Sequence, residues 1–245
     1  KDTLDNLKLA SGQTIVAENR VGAGGAIAMQ FLKGQAGNAH HLGTFHTGAI
    51  AGAVTGLIKA DPREFAPVAM MVEETSLVAV RADSPLKDGL DLIAALKADP
   101  TRLRIAVAPA LGQNTHLAIA KPLNVAGVAI DRLTIAPFRS SGESVTALIG
   151  GHVDVVSATA PVIVPQVQAG KLRILASAAP EPGTGALADV KTWRQLGVAA
   201  DYVSYNGVML PPGANADQIR YWKEALRQVS QDQQWITMVE KSGNK

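Results

Sequence analysis

Two periods alternate along this chain. Short aliphatic runs read as strands at Thr14–Ala17, His41–Thr44, Val68–Met71, Leu77–Val80 and Leu103–Val107, then at Leu133–Ala136, Asp154–Ser157, Arg173–Ala176 and Gly207–Leu210. Apolar residues at helical spacing predict helices over Gly25–Leu32, Ala49–Ile58, Gly89–Ala98, Thr115–Leu123 and Ser141–Ile149. Further helices are predicted over Ile163–Ala169, Val190–Leu196, Ala216–Gln228 and Gln233–Lys241. Breaks fall at Asp61-Pro62, Ser84-Pro85, Asp99-Pro100, Pro180-Glu181-Pro182-Gly183 and Pro211-Pro212-Gly213. Strands that alternate with helices in this way predict an α/β chain with mainly parallel strands. Asp99-Pro100-Thr101 and Val203–Leu210 mark places where the chain leaves one α/β domain and returns to it. The expected division is residues 1–99 with 206–245 in one lobe and 100–205 in the other, a hinged pair that closes around a ligand.

The stretch Leu133–Val156 shows the unit most clearly. Strand, polar loop, helix, a Gly150-Gly151 stop and a second strand follow one another. Ser140 or Ser141 is a natural N-cap, Glu143 sits in the first turn, and Val145, Leu148 and Ile149 fall on one helical face. Such a loop offers unpaired N–H groups and the positive end of a helix dipole, which suit a carboxylate or phosphate. Three other strand–loop–helix junctions have the same small, amide-rich character: the one after Thr14–Ala17, that at His46-Thr47-Gly48, and that at Ala108–Asn114. Grouped around one crevice, they would bind through backbone donors rather than through catalytic side chains.

Composition narrows the classes. The 245 residues are 47% hydrophobic and 18% charged, and only 4% aromatic, so the cores are built from Val, Leu, Ile and Ala. The net charge of +2 is dispersed, without basic runs or basic–aromatic interleaving, which argues against nucleic acid. With no cysteine there is neither a disulfide nor thiolate chemistry nor a Cys zinc site. No run of eighteen apolar residues is present to span a membrane. The chain opens on Lys1 rather than Met, so it is expected to start downstream of its natural beginning.

Side-chain chemistry is sparse. Gly22-Ala23-Gly24-Gly25 is separated from its strand by Glu18-Asn19-Arg20-Val21 and lacks the later acidic partner, which makes it a poor dinucleotide fingerprint. His40, His41, His46, His116 and His152 show no metal-ligand spacing, and no metal or cofactor is expected. His116 opens a helix at one of the suspected loops. A hydrolase using Ser140 or Ser141 with His116 is the enzymatic alternative, but there is no G-x-S-x-G elbow, and the serines are better read as caps and hydroxyl donors. Arg139 is either a fork for a carboxylate or a surface arginine.

Several blocks then coincide with one family. TIVAENRVGAGGAIAMQ, the long REFAPVAMMVEETSLVAVRADSPLKDGLDLIAALKADP block, LGQNTHLA, PFRSSGESVTALIGGHVDVV, VQAGKLRILASAAPE and SYNGVMLPPGANADQIRYWKEAL follow in order over nearly the whole chain. This pattern resembles the substrate receptors of tripartite tricarboxylate transporters, also called Bug proteins. The resemblance implies a periplasmic, non-catalytic, monomeric solute receptor whose signal peptide has been removed. It implies an α/β, two-lobed periplasmic binding protein (type II) with Venus-flytrap architecture and a central cleft. The implied partners are a small organic carboxylate and the membrane subunits of the transporter; the alternative is a carboxylate-sensing receptor acting on a signalling partner.

Position by position, the resemblance carries ligand binding to Thr44, His46, Thr47 and Gly48 in the first lobe. In the second it points to Ala108, Gly112, Asn114 and His116, to Phe138, Arg139, Ser140, Ser141 and Gly142, and to Ser157 and Thr159. Tyr205 and Asn206 complete the set at the return crossing. The family's opening strand and Gly-Gly…Asp ligand loop are expected ahead of the ENR block, where this chain has only KDTLDNLKLASGQ; on the resemblance that loop is missing. The family also continues beyond Gly243 by a further helix or so. An aspartate common after its "vDv" strand is replaced here by Ser157-Ala158-Thr159, which argues against a ligand amine.

Overall fold

A computed structural model describes residues 2–9, 13–20, 22–56 and 58–245. In chain order the elements are α1 (Asp2–Asn6), α2 (Ala26–Lys33), β1 (Gly43–His46), α3 (Thr47–Val54), β2 (Ala66–Glu74), β3 (Ser76–Arg81) and α4 (Gly89–Ala98). They continue with β4 (Arg104–Val107), α5 (Asn114–Val125), β5 (Thr134–Pro137), α6 (Ser141–Ile149), β6 (Val155–Thr159), α7 (Ala160–Gln168) and β7 (Leu172–Ser177). The last are β8 (Ser204–Leu210), α8 (Ala216–Gln231) and α9 (Gln233–Lys241). By contacts the chain divides into two compact units, Lys1–Glu73 with Tyr205–Lys241, and Glu74–Ser204 with Ser242–Lys245. The first change of unit therefore falls at Glu73/Glu74 rather than near Asp99-Pro100. The reason is that β3 is a strand of the second unit's sheet, hydrogen-bonded between β6 and β7. A further change, after Lys241, was not expected from sequence.

The second unit is a five-stranded sheet in the order β5-β4-β6-β3-β7. β4 runs parallel to both β5 and β6, whereas β3 is antiparallel to β6 and β7, so the sheet is mixed rather than wholly parallel. Both faces are covered. Val78, Val80, Ile105, Val107 and Val155 pack with Leu92 and Leu96 of α4 and with Ile119 and Leu123 of α5. Leu77, Ala79, Ala106, Val156 and Ala158 pack with Val145 and Leu148 of α6 and Ile163 of α7. A strand buried on both faces has no polar face to present, and LVAV in β3 is accordingly apolar throughout. Ile149 is 38% exposed and leaves the apolar stripe of α6 to Val145, Ala147 and Leu148.

The first unit has a three-stranded sheet, β1-β8-β2, with β1 antiparallel to β8. Val68 and Leu210 face Trp222, Leu226 and Val229 of the amphipathic α8. Met209, next to Leu210 and so on the other face, packs with Leu32 and Ala49. Gly207 is required where it stands, because a Cβ there would lie 2.7 Å from both the Ala69 carbonyl oxygen and the Phe45 ring.

Three predicted elements differ. Thr14–Ala17 is irregular and Val16 is 82% exposed, so among the described residues no strand leads into the first Gly-rich loop. Val190–Leu196 is not a helix: Thr192 makes a parallel bridge to Ser177, and the Trp193 N–H donates to the Ser177 carbonyl, which draws the fully buried Trp193 ring into the core. The helix expected over Ala49–Ile58 ends at Val54, followed by Thr55 and a left-handed Gly56 at φ 76°; Leu57 lies outside the described residues, as do Lys1, Ala10, Ser11, Gly12 and Val21 of the N-terminal stretch and the ENR block.

Candidate functional site

Three adjacent parallel strands put the second unit's candidate residues on one edge. β5, β4 and β6 point the same way, so the loops leaving their C-terminal ends all emerge from one end of the sheet, and each leads into a helix N-terminus. Ala108, Phe138 and Thr159 mark those three exits. Each helix that follows leaves its first N–H groups without a helical carbonyl partner, at the positive end of its dipole. Open α/β sheets bind their ligands at this end of the strands.

The middle loop, between β4 and α5, is fastened at both ends by the first turn of α5. Thr115 Oγ1 accepts from the Ala108 N–H at 2.8 Å and donates to the Ala108 carbonyl at 2.7 Å. One residue on, His116 Nδ1 accepts from the Gly112 N–H at 2.9 Å. Gly112 has φ 76°, a left-handed conformation natural to glycine, and a Cβ there would meet nothing, so the backbone rather than crowding requires it. Burial holds the His116 imidazole below its ordinary pKa, in the neutral form. Asn114 faces inward: its amide donates to Ser204 Oγ at 2.6 Å and accepts from the Tyr202 hydroxyl at 3.1 Å. That side chain positions the loop. Burial in turn raises the Tyr202 pKa above 10.0.

At the β5–α6 junction Ser140 is the cap. Its Oγ accepts from the Glu143 N–H at 3.2 Å, while the Glu143 carboxylate turns back to accept from the Arg139 N–H at 3.3 Å. The Ser140 hydroxyl proton remains available to a ligand, as do the first-turn N–H groups of Ser141 and Gly142. A Cβ on Gly142 would meet only Ser140 Oγ, at 3.8 Å, so backbone approach is open there. The Phe138 N–H bonds the Val107 carbonyl, its ring packs on the α6–α7 side of the sheet, and Arg139 is exposed. At the β6–α7 junction Thr159 is the N-cap residue without a side-chain cap bond, and Ser157 is fully buried with its hydroxyl unpartnered.

In the first unit the candidate residues gather at the β1–α3 junction. His46 pairs with Asn206, and Thr44 with Val208, in the antiparallel ladder. Thr47 Oγ1 accepts from the Tyr205 N–H at 2.8 Å and donates to the Tyr205 carbonyl at 3.3 Å. Thr44, His46, Thr47, Gly48, Tyr205 and Asn206 are thereby brought together by strand pairing. Burial lowers the His46 pKa and favours the neutral ring at the N-cap of α3. Gly48 is buried in the first turn. Tyr205 is 38% exposed.

Sequence reasoning missed Thr115, Tyr202 and Ser204. Only Thr115 left a signal, a hydroxyl in a helix first turn next to the suspected His116. Among the described residues no group of three or more His, Cys, Asp or Glu is placed to hold a metal, and no helix is long and apolar enough to cross a membrane.

Comparison with known proteins identifies the family. The family described as tripartite tricarboxylate transporter family receptor matches residues 2–244. Protein BugT of Bordetella pertussis is 31% identical over 226 residues, 88% of this chain and 68% of that protein. MatC from Rhodopseudomonas palustris, solved with bound malate, is 26% identical with a TM-score of 0.83, over 99% of this chain and 81% of that one. A second R. palustris protein, solved with adipate, has a TM-score of 0.86 at 21% identity, over 99% of this chain and 81% of that one, and shows the shared fold.

Proposed function

Because the chain belongs to the tripartite tricarboxylate transporter receptor family, we propose that it is a periplasmic, non-catalytic receptor for a small organic carboxylate, which it delivers to the membrane subunits of such a transporter. The ligand is held with its carboxylate at the N-terminus of α6, on the amides of Ser141 and Gly142 and the Ser140 hydroxyl. The observation that carries this reading is the row of three helix N-termini at the ends of β5, β4 and β6. Hydrogen bonds to a charged group contribute about 1.5–3 kcal/mol each, and a helix dipole adds about 0.3–2 kcal/mol. Small carboxylates in two structural relatives, malate and adipate, agree with that chemistry. The internal engagements of Ser140 as a cap and His116 with Gly112 favour a binding site over a Ser–His nucleophile.

Titration calorimetry against mono-, di- and tricarboxylates, malate and adipate among them, tests the reading. Saturable 1:1 binding without product formation is expected. Product formation lost in Ser140→Ala would make it an enzyme, and a panel without any binder would remove the receptor assignment.

A further inference from the structure

We propose that His116 meets the ligand as a neutral hydrogen-bond donor of fixed tautomer, its Nε2–H aimed at an acceptor oxygen while Nδ1 is held by the Gly112 N–H. The inference rests on the receptor reading above and adds to it the chemistry of one contact. A neutral imidazole has one donor and one acceptor nitrogen, and the partner of one fixes the role of the other. Here Nδ1 accepts at 2.9 Å from a backbone N–H, which cannot act as an acceptor, so the ring proton resides on Nε2. Among the described residues nothing accepts from Nε2, and the ring is half-buried rather than enclosed.

The surroundings hold this arrangement. The loop carrying Gly112 is clasped at Ala108 by Thr115, adjacent in sequence to His116, so both ends of the loop are referenced to one turn of α5. Partial burial opposes the imidazolium. The consequence is selectivity: a donor nitrogen, with its acceptor partner already engaged, welcomes a carboxylate or hydroxyl oxygen and offers nothing to an ammonium. This position therefore selects the acceptor end of the ligand.

Two variants separate the two nitrogens. In His116→Asn the amide oxygen lies at the place of Nδ1, so the Gly112 contact survives while the outer donor is lost. In His116→Gln the amide reaches the place of Nε2 and keeps the donor. With malate and adipate as probes in calorimetry, His116→Asn is expected to weaken binding about tenfold to a hundredfold, and His116→Gln only a few-fold. Long-range proton–nitrogen NMR on the ligand-free protein near neutral pH is expected to show Nε2 protonated and Nδ1 bare, and the Nε2–H signal should move when either probe binds. A ligand-free protein with Nδ1 protonated overturns the proposal whatever binds. Full affinity in His116→Asn, or a probe that binds with the His116 signal unmoved, overturns the donor role and leaves the receptor reading standing. If neither probe nor any other carboxylate of the panel binds the wild type, the donor role falls together with that reading.

Discussion

Thr47 and Thr115 perform the same act in different settings. Each lies in the first turn of a helix, and each uses one hydroxyl to accept from the N–H and donate to the carbonyl of a single residue at a strand end. Thr115 reaches a residue seven positions back along the chain and is 2% exposed. Thr47 reaches Tyr205, 158 positions away, and its bonds lie at the surface. The first clasp closes a loop that the local sequence already brings together. The second fastens a pairing that exists only because β8 returns to lie beside β1. A short closure costs little chain entropy, so the second unit's junction is set locally; the first unit's junction depends on the whole sheet being in register.

The largest effect should come from breaking that register. Gly207→Val would drive a side chain against the Ala69 carbonyl and the Phe45 ring, and should destabilise the protein by about 3 kcal/mol or more, read from the urea midpoint. Thr115→Val comes next, because it strips a buried backbone N–H of its acceptor; a loss of about 1–3 kcal/mol is expected. Thr47→Val makes the same change where water can replace the hydroxyl, and should cost about 0.5–1.5 kcal/mol. If the two losses were equal, burial would not be what distinguishes the clasps. Ser140→Ala, at a junction with a side-chain cap and no threonine clasp, should cost about 1 kcal/mol through α6 alone.

Acid sharpens the comparison from another side. His46 and His116 both have native pKa values below 6.5, lowered by burial. As pH falls through the unfolded value the unfolded chain takes up protons that the native chain resists, so stability declines there and levels off below the native values. Urea midpoints at pH 7.5 and 5.5 should fall in that order, and the drop should shrink in His46→Gln. A drop unchanged by that substitution would assign the acid sensitivity to other groups.

Much of the architecture was legible because it is local. Ser141–Ile149 and Gly89–Ala98 are helices within the expected bounds, since each has a polar cap, Ser140 and Asp88, and an apolar stripe of its own. The misreadings are places where distant contacts overruled local pattern. Val190–Leu196 has helical spacing, yet the bridge from Thr192 to Ser177 claims its backbone. Thr14–Ala17 has strand composition, yet it is irregular and leaves Val16 82% exposed. The candidate residues divide likewise: Ser140 and Glu143 announce their cap by spacing, whereas the inward engagement of Asn114 needs Tyr202 and Ser204, some ninety positions on.

By itself the sequence determined the alternation of strands and helices, the small polar junctions, the absence of thiol chemistry and the family. These follow from periodicity, capping and composition, which act over a few residues, and from blocks of motif. Only the tertiary structure decided that β3 joins the second unit, that three helix N-termini share one sheet edge, and which nitrogen of His116 is engaged. Each of those depends on hydrogen bonds whose partners are chosen by strand order and loop closure. A chain's local preferences fix which groups are offered, and packing fixes which of them meet.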